Sequence, residues 1–233
     1  MRQIIAIGGI GQPLTESGTD IYSYVLQQSV RPRPNICFVP TASAESRERI
    51  VQFFQVFSSL PCTPSWLSLF DLPTADLESF ILAKDIIFVG GGNTRSMLAL
   101  WREWNLDGIL RKAYDRGIIL AGSSAGANCW FEQCTTDSVP GELTILPCLG
   151  FLHGSFTPHY DVEPKRKPTL HRMLLSEEIQ PGYAADNEAA LHFVDGDLRR
   201  AVRTRESASA YQVQIKDARV IEQQLEMTLV GTK

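Results

Sequence analysis

The stretch Ile118-Ile119-Leu120-Ala121-Gly122-Ser123-Ser124-Ala125-Gly126-Ala127-Asn128 constrains this chain more than any other. A short apolar run that breaks at Gly-Ser-Ser-Ala-Gly reads as a buried parallel strand turning abruptly into a helix, with Ser124 at the corner. A side chain on so tight a turn sits in strained backbone space, and the positions two before and two after it must be nearly bare. Gly122 and Gly126 meet that need. Ser124 then stands at the start of the following helix, where free backbone N–H groups and the helix dipole face any negative charge formed beside it. The pattern is G-x-S-x-G, the spacing of a nucleophile elbow. The same residues also suit a plain turn that packs a helix against a strand, so the elbow has to be judged by its partners.

The segments around it alternate. Ile4 to Gly8 is a short apolar run ending in Gly8-Gly9, and Thr19 to Gln28 has helical spacing, with Ser17 or Thr19 available as cap. Asn35 to Val39 is a second strand, stopped by Pro40, and Ser46 to Phe57 places Ile50, Phe53, Phe54 and Phe57 on one helical face. A third strand is expected at Trp66 to Leu69 and a fourth at Asp85 to Val89. Helices over Thr94 to Trp104 and Asp107 to Arg116 then lead to the elbow strand. Near-continuous apolar strands alternating with helices predict a parallel sheet covered on both faces. Beyond the elbow, Thr135 to Ser138 reads as a polar loop, Phe151 to Asp161 as irregular, and Pro168 to Glu178 as a helix. The tail predicts antiparallel strands at 189–194, 198–203, 211–215 and 219–221.

At 233 residues the chain is read as one domain. Its 44% hydrophobic and 21% charged residues are those of an ordinary globular protein, and no apolar run approaches the roughly 20 residues of a membrane span. Met1 to Ile7 is strand-like rather than leader-like, so a cytoplasmic location is expected. Five cysteines without tight spacing favour free thiols over a disulfide framework. A net charge of -4 without a long basic run argues against nucleic acid as the partner.

The fourth strand runs directly into Gly90-Gly91-Gly92-Asn93-Thr94. Three glycines at a strand end let the backbone approach a ligand and turn N–H groups outward, which suits a developing oxyanion. A phosphate-binding reading is weaker, since no Lys-Ser/Thr follows as in a P-loop and Arg95 occupies the third glycine position of a dinucleotide fingerprint. In open parallel sheets ligands collect at the carboxyl ends of strands, so this loop and Ser124 should face one crevice.

A serine needs a base, and the base needs an orienting acceptor. Of the four histidines, His171 falls in a helix and His192 in a tail strand, while His153 and His159 follow the elbow. His159 is preferred, because Pro158 restricts its backbone and its neighbours are aromatic or acidic. For the acid, Asp137 follows the elbow helix, and Asp186 and Glu188 lie just before an apolar strand. Cys129, Cys134, Cys148 and His153 match no common zinc spacing, so no metal and no cofactor is expected.

These residues together resemble the dipeptidase E family of serine peptidases, relatives of cyanophycinase within the class I glutamine amidotransferase-like fold. The similarity covers most of the chain. It is carried by Phe88-Val89-Gly90-Gly91-Gly92-Asn93-Thr94, by Ser124-Ala125-Gly126-Ala127-Asn128, by Thr136-Asp137 and by Pro158-His159. The resemblance implies Ser124 as nucleophile, His159 as base and then acid, and the Gly92 and Ala125 N–H groups as oxyanion hole. For the acid it implies either the position matching Asp137 or one near Asp186 to Glu188. Family members cut short substrates with an N-terminal aspartate, held by basic residues after the histidine. Here that region reads Glu163-Pro164-Lys165-Arg166-Lys167-Pro168, which departs from the family's arginine-bearing helix start, and Ser123 replaces a bulkier residue.

The expectation is therefore a three-layer, flavodoxin-like α/β domain with a parallel central sheet and a small antiparallel β extension at its C-terminal end. It should act as a serine-type dipeptidase on short peptides, through an acyl-enzyme, with Asn93, Lys165, Arg166 and Lys167 as substrate-binding residues. Neither nucleic acid nor membrane is expected as partner, and monomer and homodimer remain open. The alternatives are a catalytically silent ligand-binding homologue and an esterase using the same elbow, although in α/β-hydrolases the histidine arrives near the chain end.

Overall fold

In the computed structural model, which describes residues 1–11 and 16–231, the apolar runs of the first half become strands of one sheet. They are β1 (Gln3–Ile7), β2 (Asn35–Val39), β3 (Thr63–Trp66), β4 (Ile86–Val89) and β5 (Ile119–Ser123). Between them run α1 (Glu16–Gln27), α2 (Arg47–Phe57), α3 (Leu77–Leu82), α4 (Thr94–Glu103) and α5 (Leu106–Asp115). The strands pair in parallel in the order β1-β5-β4-β2-β3. Every residue of β1, β4 and β5 is buried, which explains why they read as unbroken apolar runs instead of alternating ones.

The period of two still decides which helices each side chain meets. Ile5, Ile7, Ile36, Phe38 and Phe88 face α1 and α2, through Ile21, Val25, Phe53 and Phe57. Ile4, Ala6, Val39, Val89 and Leu120 face the other way, against Ile81, Leu98, Trp101 and Leu110 of α3, α4 and α5. The result is three layers, helix, sheet and helix, as the alternation predicts.

Past the elbow come α6 (Ala125–Asn128), β6 (Phe131–Thr136), β7 (Thr144–Pro147), β8 (Leu152–Thr157), α7 (Arg166–Leu175) and β9 (Gly182–Ala185). The last strands are β10 (Ala189–Val194), β11 (Asp197–Arg203), β12 (Ala210–Lys216), β13 (Arg219–Gln224) and β14 (Met227–Leu229). The antiparallel tail strands are present, but they divide between two sheets. β10 pairs with β1, and β11 and β14 extend the main sheet, while β12 and β13 join β6 to β9 in a second sheet of order β13-β12-β9-β8-β6-β7. Its Phe131, Cys134 and Phe156 share the core cluster of α3 to α5.

Local expectations shift in four places. The third strand ends at Trp66 where it was expected to begin; Pro64 is accommodated because β3 is the sheet's edge. Thr135 and Thr136 are not loop but the buried end of β6, where the Thr135 and Thr157 hydroxyls bond each other at 3.1 Å. The stretch read as irregular contains β8. Helix α1 begins at Glu16, so Ser17 and Thr19 lie inside it rather than capping it.

His192 of β10 is a core residue. Its Nδ1 meets the Tyr24 hydroxyl at 2.8 Å and its Nε2 meets Gln3 Oε1 at 3.0 Å. Burial pushes its pKa down to about 4, with the nearby Arg200 adding to the effect. The unfolded chain takes up this proton near the ordinary value of about 6.5, so the contribution of neutral His192 is complete above that pH and is lost as pH falls towards 4. Urea unfolding at pH 7, 5.5 and 4.5 should therefore show wild-type stability falling relative to His192→Gln. A constant difference between the two would contradict the assignment.

Candidate active site

β5 delivers Ser124 to the carboxyl edge of the sheet with φ +56° and ψ −113°, a backbone state that costs about 1–3 kcal/mol outside glycine. What holds it there is local. Ser124 N–H donates to the Ile7 carbonyl at 3.0 Å. A Cβ on Gly122 would lie 2.3 Å from the Gly126 carbonyl oxygen, and one on Gly126 would lie 2.2 Å from that of Val89. Both flanking glycines are thus fixed by backbone approach. The helix after the corner is only Ala125–Asn128, a single turn, so the dipole expected there is much smaller than that of a full helix.

His159 follows β8 and is itself in the left-handed region, at φ +54°. Its N–H donates to the Gly8 carbonyl at 3.1 Å, which turns the ring towards the elbow. Nε2 lies 2.8 Å from Ser124 Oγ, and Nδ1 lies 2.7 Å from Asn187 Oδ1. An amide oxygen only accepts, so Nδ1 carries the hydrogen and Nε2 presents its lone pair to the serine hydroxyl. Asn187 is held in turn. Its N–H donates to Asp161 Oδ1 at 2.9 Å, Arg205 donates to its carbonyl at 3.2 Å, and Arg205 pairs with Asp161 at 2.6 Å.

The imidazole's partner is therefore an amide, not one of the expected acids. Asp137 is turned to Arg166, 3.6 Å away, with its side chain 67% exposed. Glu188 is buried and receives the Thr204 hydroxyl at 3.4 Å. Asp186 accepts the Ser209 N–H at 2.8 Å, and burial raises its pKa to about 6 despite that bond. Sequence reasoning reached the right loop but looked only for carboxylates in it. No sequence feature singled out Asn187; in the structure a Cβ on Gly9 would lie 1.9 Å from Asn187 Oδ1 and 2.5 Å from His159 Nδ1.

Across from the serine, the glycine loop is shaped by close contacts. Gly92 has φ +140°, and a Cβ on it would sit 2.1 Å from the Ala42 carbonyl oxygen; one on Gly91 would sit 3.3 Å from Ser124 Cβ. Among the described residues, the N–H groups of Gly91, Gly92 and Ala125 donate to no protein acceptor. Asn93, expected at the substrate, instead caps α4 by accepting from Ser96 N–H, while its Nδ2 donates to the Ser138 carbonyl. Two of the three basic residues are also occupied elsewhere. Arg166 is buried and donates to Glu163 at 2.7 Å and to the Thr135 carbonyl at 3.1 Å; Lys167 pairs with Glu222 at 2.6 Å; Lys165 precedes α7. None of Asn93, Lys165, Arg166 and Lys167 lines the cavity beside Ser124.

That cavity, of about 340 Å³, opens on Ser124, His159 and the loop Gly90 to Gly92. Its inner wall consists of Tyr22, Phe38, Phe53, Phe57 and Phe88. Among the described residues no cluster of histidine, cysteine and acidic side chains could hold a metal ion, and no helix is long and apolar enough to cross a membrane.

Residues 4–201 match the model of Peptidase family S51. The chain belongs to that family. It is 48% identical over 231 residues, 99% of its length and 100% of the relative's, to a Bacillus subtilis (strain 168) protein named "Uncharacterized peptidase YgaJ". Two solved structures share the fold of this S51 chain. One is a peptidase from an acI-B1 Actinobacterium, with a TM-score of 0.71 at 16% identity, covering 99% of this chain and 96% of that one. The other is a putative peptidase E protein from Listeria monocytogenes EGD-e, with a TM-score of 0.61 at 20% identity, covering 97% and 100%.

Two adjacent glycines of this S51 chain should respond differently to a methyl group. Gly8→Ala would push a Cβ to 2.3 Å and 2.5 Å from the backbone oxygens of Asp186 and Ala185, which cannot yield cheaply. Gly9→Ala meets side-chain atoms that can rotate away, at the expense of the His159–Asn187 bond. Thermal unfolding should show Gly8→Ala destabilised by about 1–3 kcal/mol. Gly9→Ala should stay close to wild type in stability yet lose peptide hydrolysis. The reverse order would contradict this account of the loop.

Proposed function

We propose that this chain is a serine-type peptidase of short peptides, working through an acyl-enzyme. The observation that carries this reading is the 2.8 Å contact between His159 Nε2 and Ser124 Oγ, with the imidazole tautomer fixed from behind by Asn187. Ser124 Oγ attacks the scissile carbonyl carbon while His159 Nε2 takes the hydroxyl proton. The tetrahedral oxyanion is received by the N–H groups of Gly92 and Ala125, together with the adjacent Gly91, a role supported by their lack of a protein acceptor among the described residues. The C–N bond then breaks, and Nε2 returns the proton to the leaving amine. Water attacks the ester, again giving a proton to Nε2, and the acid leaves as Ser124 regains its hydrogen.

Asn187 does in this scheme what a carboxylate does in most serine triads, except that it brings no charge to the imidazolium. It orients and selects the tautomer. The nearest acid in the chain of contacts, Asp161, acts through the Asn187 backbone and is itself paired with Arg205. A preference for N-terminal aspartate gets no support from the basic run, because Arg166 and Lys167 are held by Glu163 and Glu222. A cytoplasmic setting and small peptide substrates, without nucleic acid or membrane partners, complete the reading.

A panel of short peptides assayed with wild type, Ser124→Ala and Asn187→Ala tests it. Ser124→Ala should lose roughly 10⁶-fold in kcat, the scale of removing a serine nucleophile, with its Tm unchanged. Asn187→Ala should lose less, within the roughly 10²- to 10⁴-fold that general-base catalysis contributes. Turnover retained by Ser124→Ala would overturn the mechanism.

A further inference from the structure

The cavity beside Ser124 has a chemistry that the catalytic residues do not use. Five aromatic side chains form its inner wall, drawn from α1 (Tyr22), β2 (Phe38), α2 (Phe53, Phe57) and the end of β4 (Phe88). They are locked against one another: Phe38 stacks on Phe53 with centroids 4.7 Å apart, Phe53 on Phe57 at 4.3 Å, and Tyr22 sits edge-on to Phe88 at 5.5 Å. The space beside these rings, about 340 Å³, falls at the small end of ligand sites, roughly 300–1,000 Å³.

One face of α2 lines the cavity. Arg49, Gln52, Phe53, Val56 and Phe57 follow the i, i+3, i+4, i+7, i+8 spacing, so the same stripe that buries two rings also brings a guanidinium and an amide to the cavity. Arg49 is exposed and makes no ion pair among the described residues. Its charge is felt at the Tyr22 phenol, whose pKa burial drives up and Arg49 pulls back down. A cation in the first turn of a helix also opposes the helix dipole, so helix stability does not account for its placement.

We propose that this cavity is the specificity site of the peptidase, accepting a peptide with an aromatic or other large apolar side chain next to the scissile bond and a carboxylate held by Arg49. This rests on the serine-peptidase reading above. The rings supply an apolar, close-packed surface for the side chain. Arg49 supplies a bidentate donor at the mouth, where a carboxylate stays partly hydrated. An N-terminal aspartate side chain has no cationic partner at the inner wall.

The carboxylate can be the peptide's own C-terminus or an acidic side chain, and the substrates separate the two. The test measures kcat/KM for Ala-Phe, Phe-Ala, Ala-Ala and Asp-Ala, for Ala-Phe-amide, and for Phe-Asp-amide. Wild type, Arg49→Gln and Val56→Trp are compared. Wild type should prefer the better phenylalanine peptide over Ala-Ala by about ten- to a hundredfold, the scale of burying one aromatic side chain in a fitted pocket. Arg49→Gln, at an exposed position, should lower kcat/KM for the carboxylate-bearing phenylalanine peptides and leave Ala-Phe-amide unchanged. Retained Arg49 dependence with Phe-Asp-amide would assign the contact to an acidic side chain, and its loss would assign it to the C-terminus. Val56→Trp, which narrows the cavity, should bring the ratio of kcat/KM for the phenylalanine peptide to that for Ala-Ala close to one. Equal rates on Phe and Ala peptides, or a preference for Asp-Ala, would overturn the subsite while leaving the serine mechanism standing. Failure of wild type to cleave any of them would overturn both.

Discussion

Three consecutive carbonyls at the end of β1 set the geometry on which the site depends. Ile7 accepts the N–H of Ser124, Gly8 that of His159, and Gly9 that of Glu188, the residue next to Asn187. Ser124, His159 and Asn187 come from segments up to 63 positions apart, yet each segment is registered against the same three-residue edge. A Cβ on Gly8 would meet the backbone oxygens of Asp186 and Ala185, as one on Gly122 or Gly126 would meet backbone around the serine, whereas one on Gly9 would meet the side chains of Asn187 and His159. β1 is in turn fixed centrally, between β5 and β10, with every residue buried. The site's precision is thus a property of the sheet rather than of flexible loops.

Two of the three site residues are held at positive φ, Ser124 and His159, and Glu188 beside the third is as well. Such strain persists only where surrounding contacts over-determine it. Here the determining contacts are backbone hydrogen bonds of 2.8–3.1 Å to β1. The same edge separates two environments. On one side the imidazole leads back through Asn187 to Asp161 and Arg205, a polar chain. On the other, the serine faces aromatic rings from α1, α2, β2 and β4. The polar chain and the aromatic wall are therefore built from different elements of the fold.

The parts legible in the sequence were those governed by local rules. The elbow shows itself because Gly122 and Gly126 are required by contacts within a few residues or with the adjacent strand, and the apolar β4 and β5 announce a buried parallel sheet. His159 could be chosen from only four histidines. Asn187 was hidden for a chemical reason: the search for an acid stopped at Asp186 and Glu188, whereas only the middle residue of that loop faces the imidazole. Lys167 looked free because its partner, Glu222, lies 55 residues further along on β13. The aromatic residues of α2 read as ordinary core, since periodicity cannot reveal that a stripe which packs against a sheet also borders an empty space. Division of the tail between two sheets was equally invisible, because strand pattern alone does not name the partner strand.

The account turns on Ser124 being a nucleophile activated by His159, and covalent labelling with a fluorophosphonate probe reads that state without assuming any substrate. The labelled protein would be digested and the modified residue located by mass spectrometry, in wild type and in His159→Ala. The account predicts a single adduct on Ser124 in wild type and labelling slowed to near background without the imidazole. An adduct on the neighbouring Ser123, or labelling of Ser124 that is indifferent to His159, would contradict it.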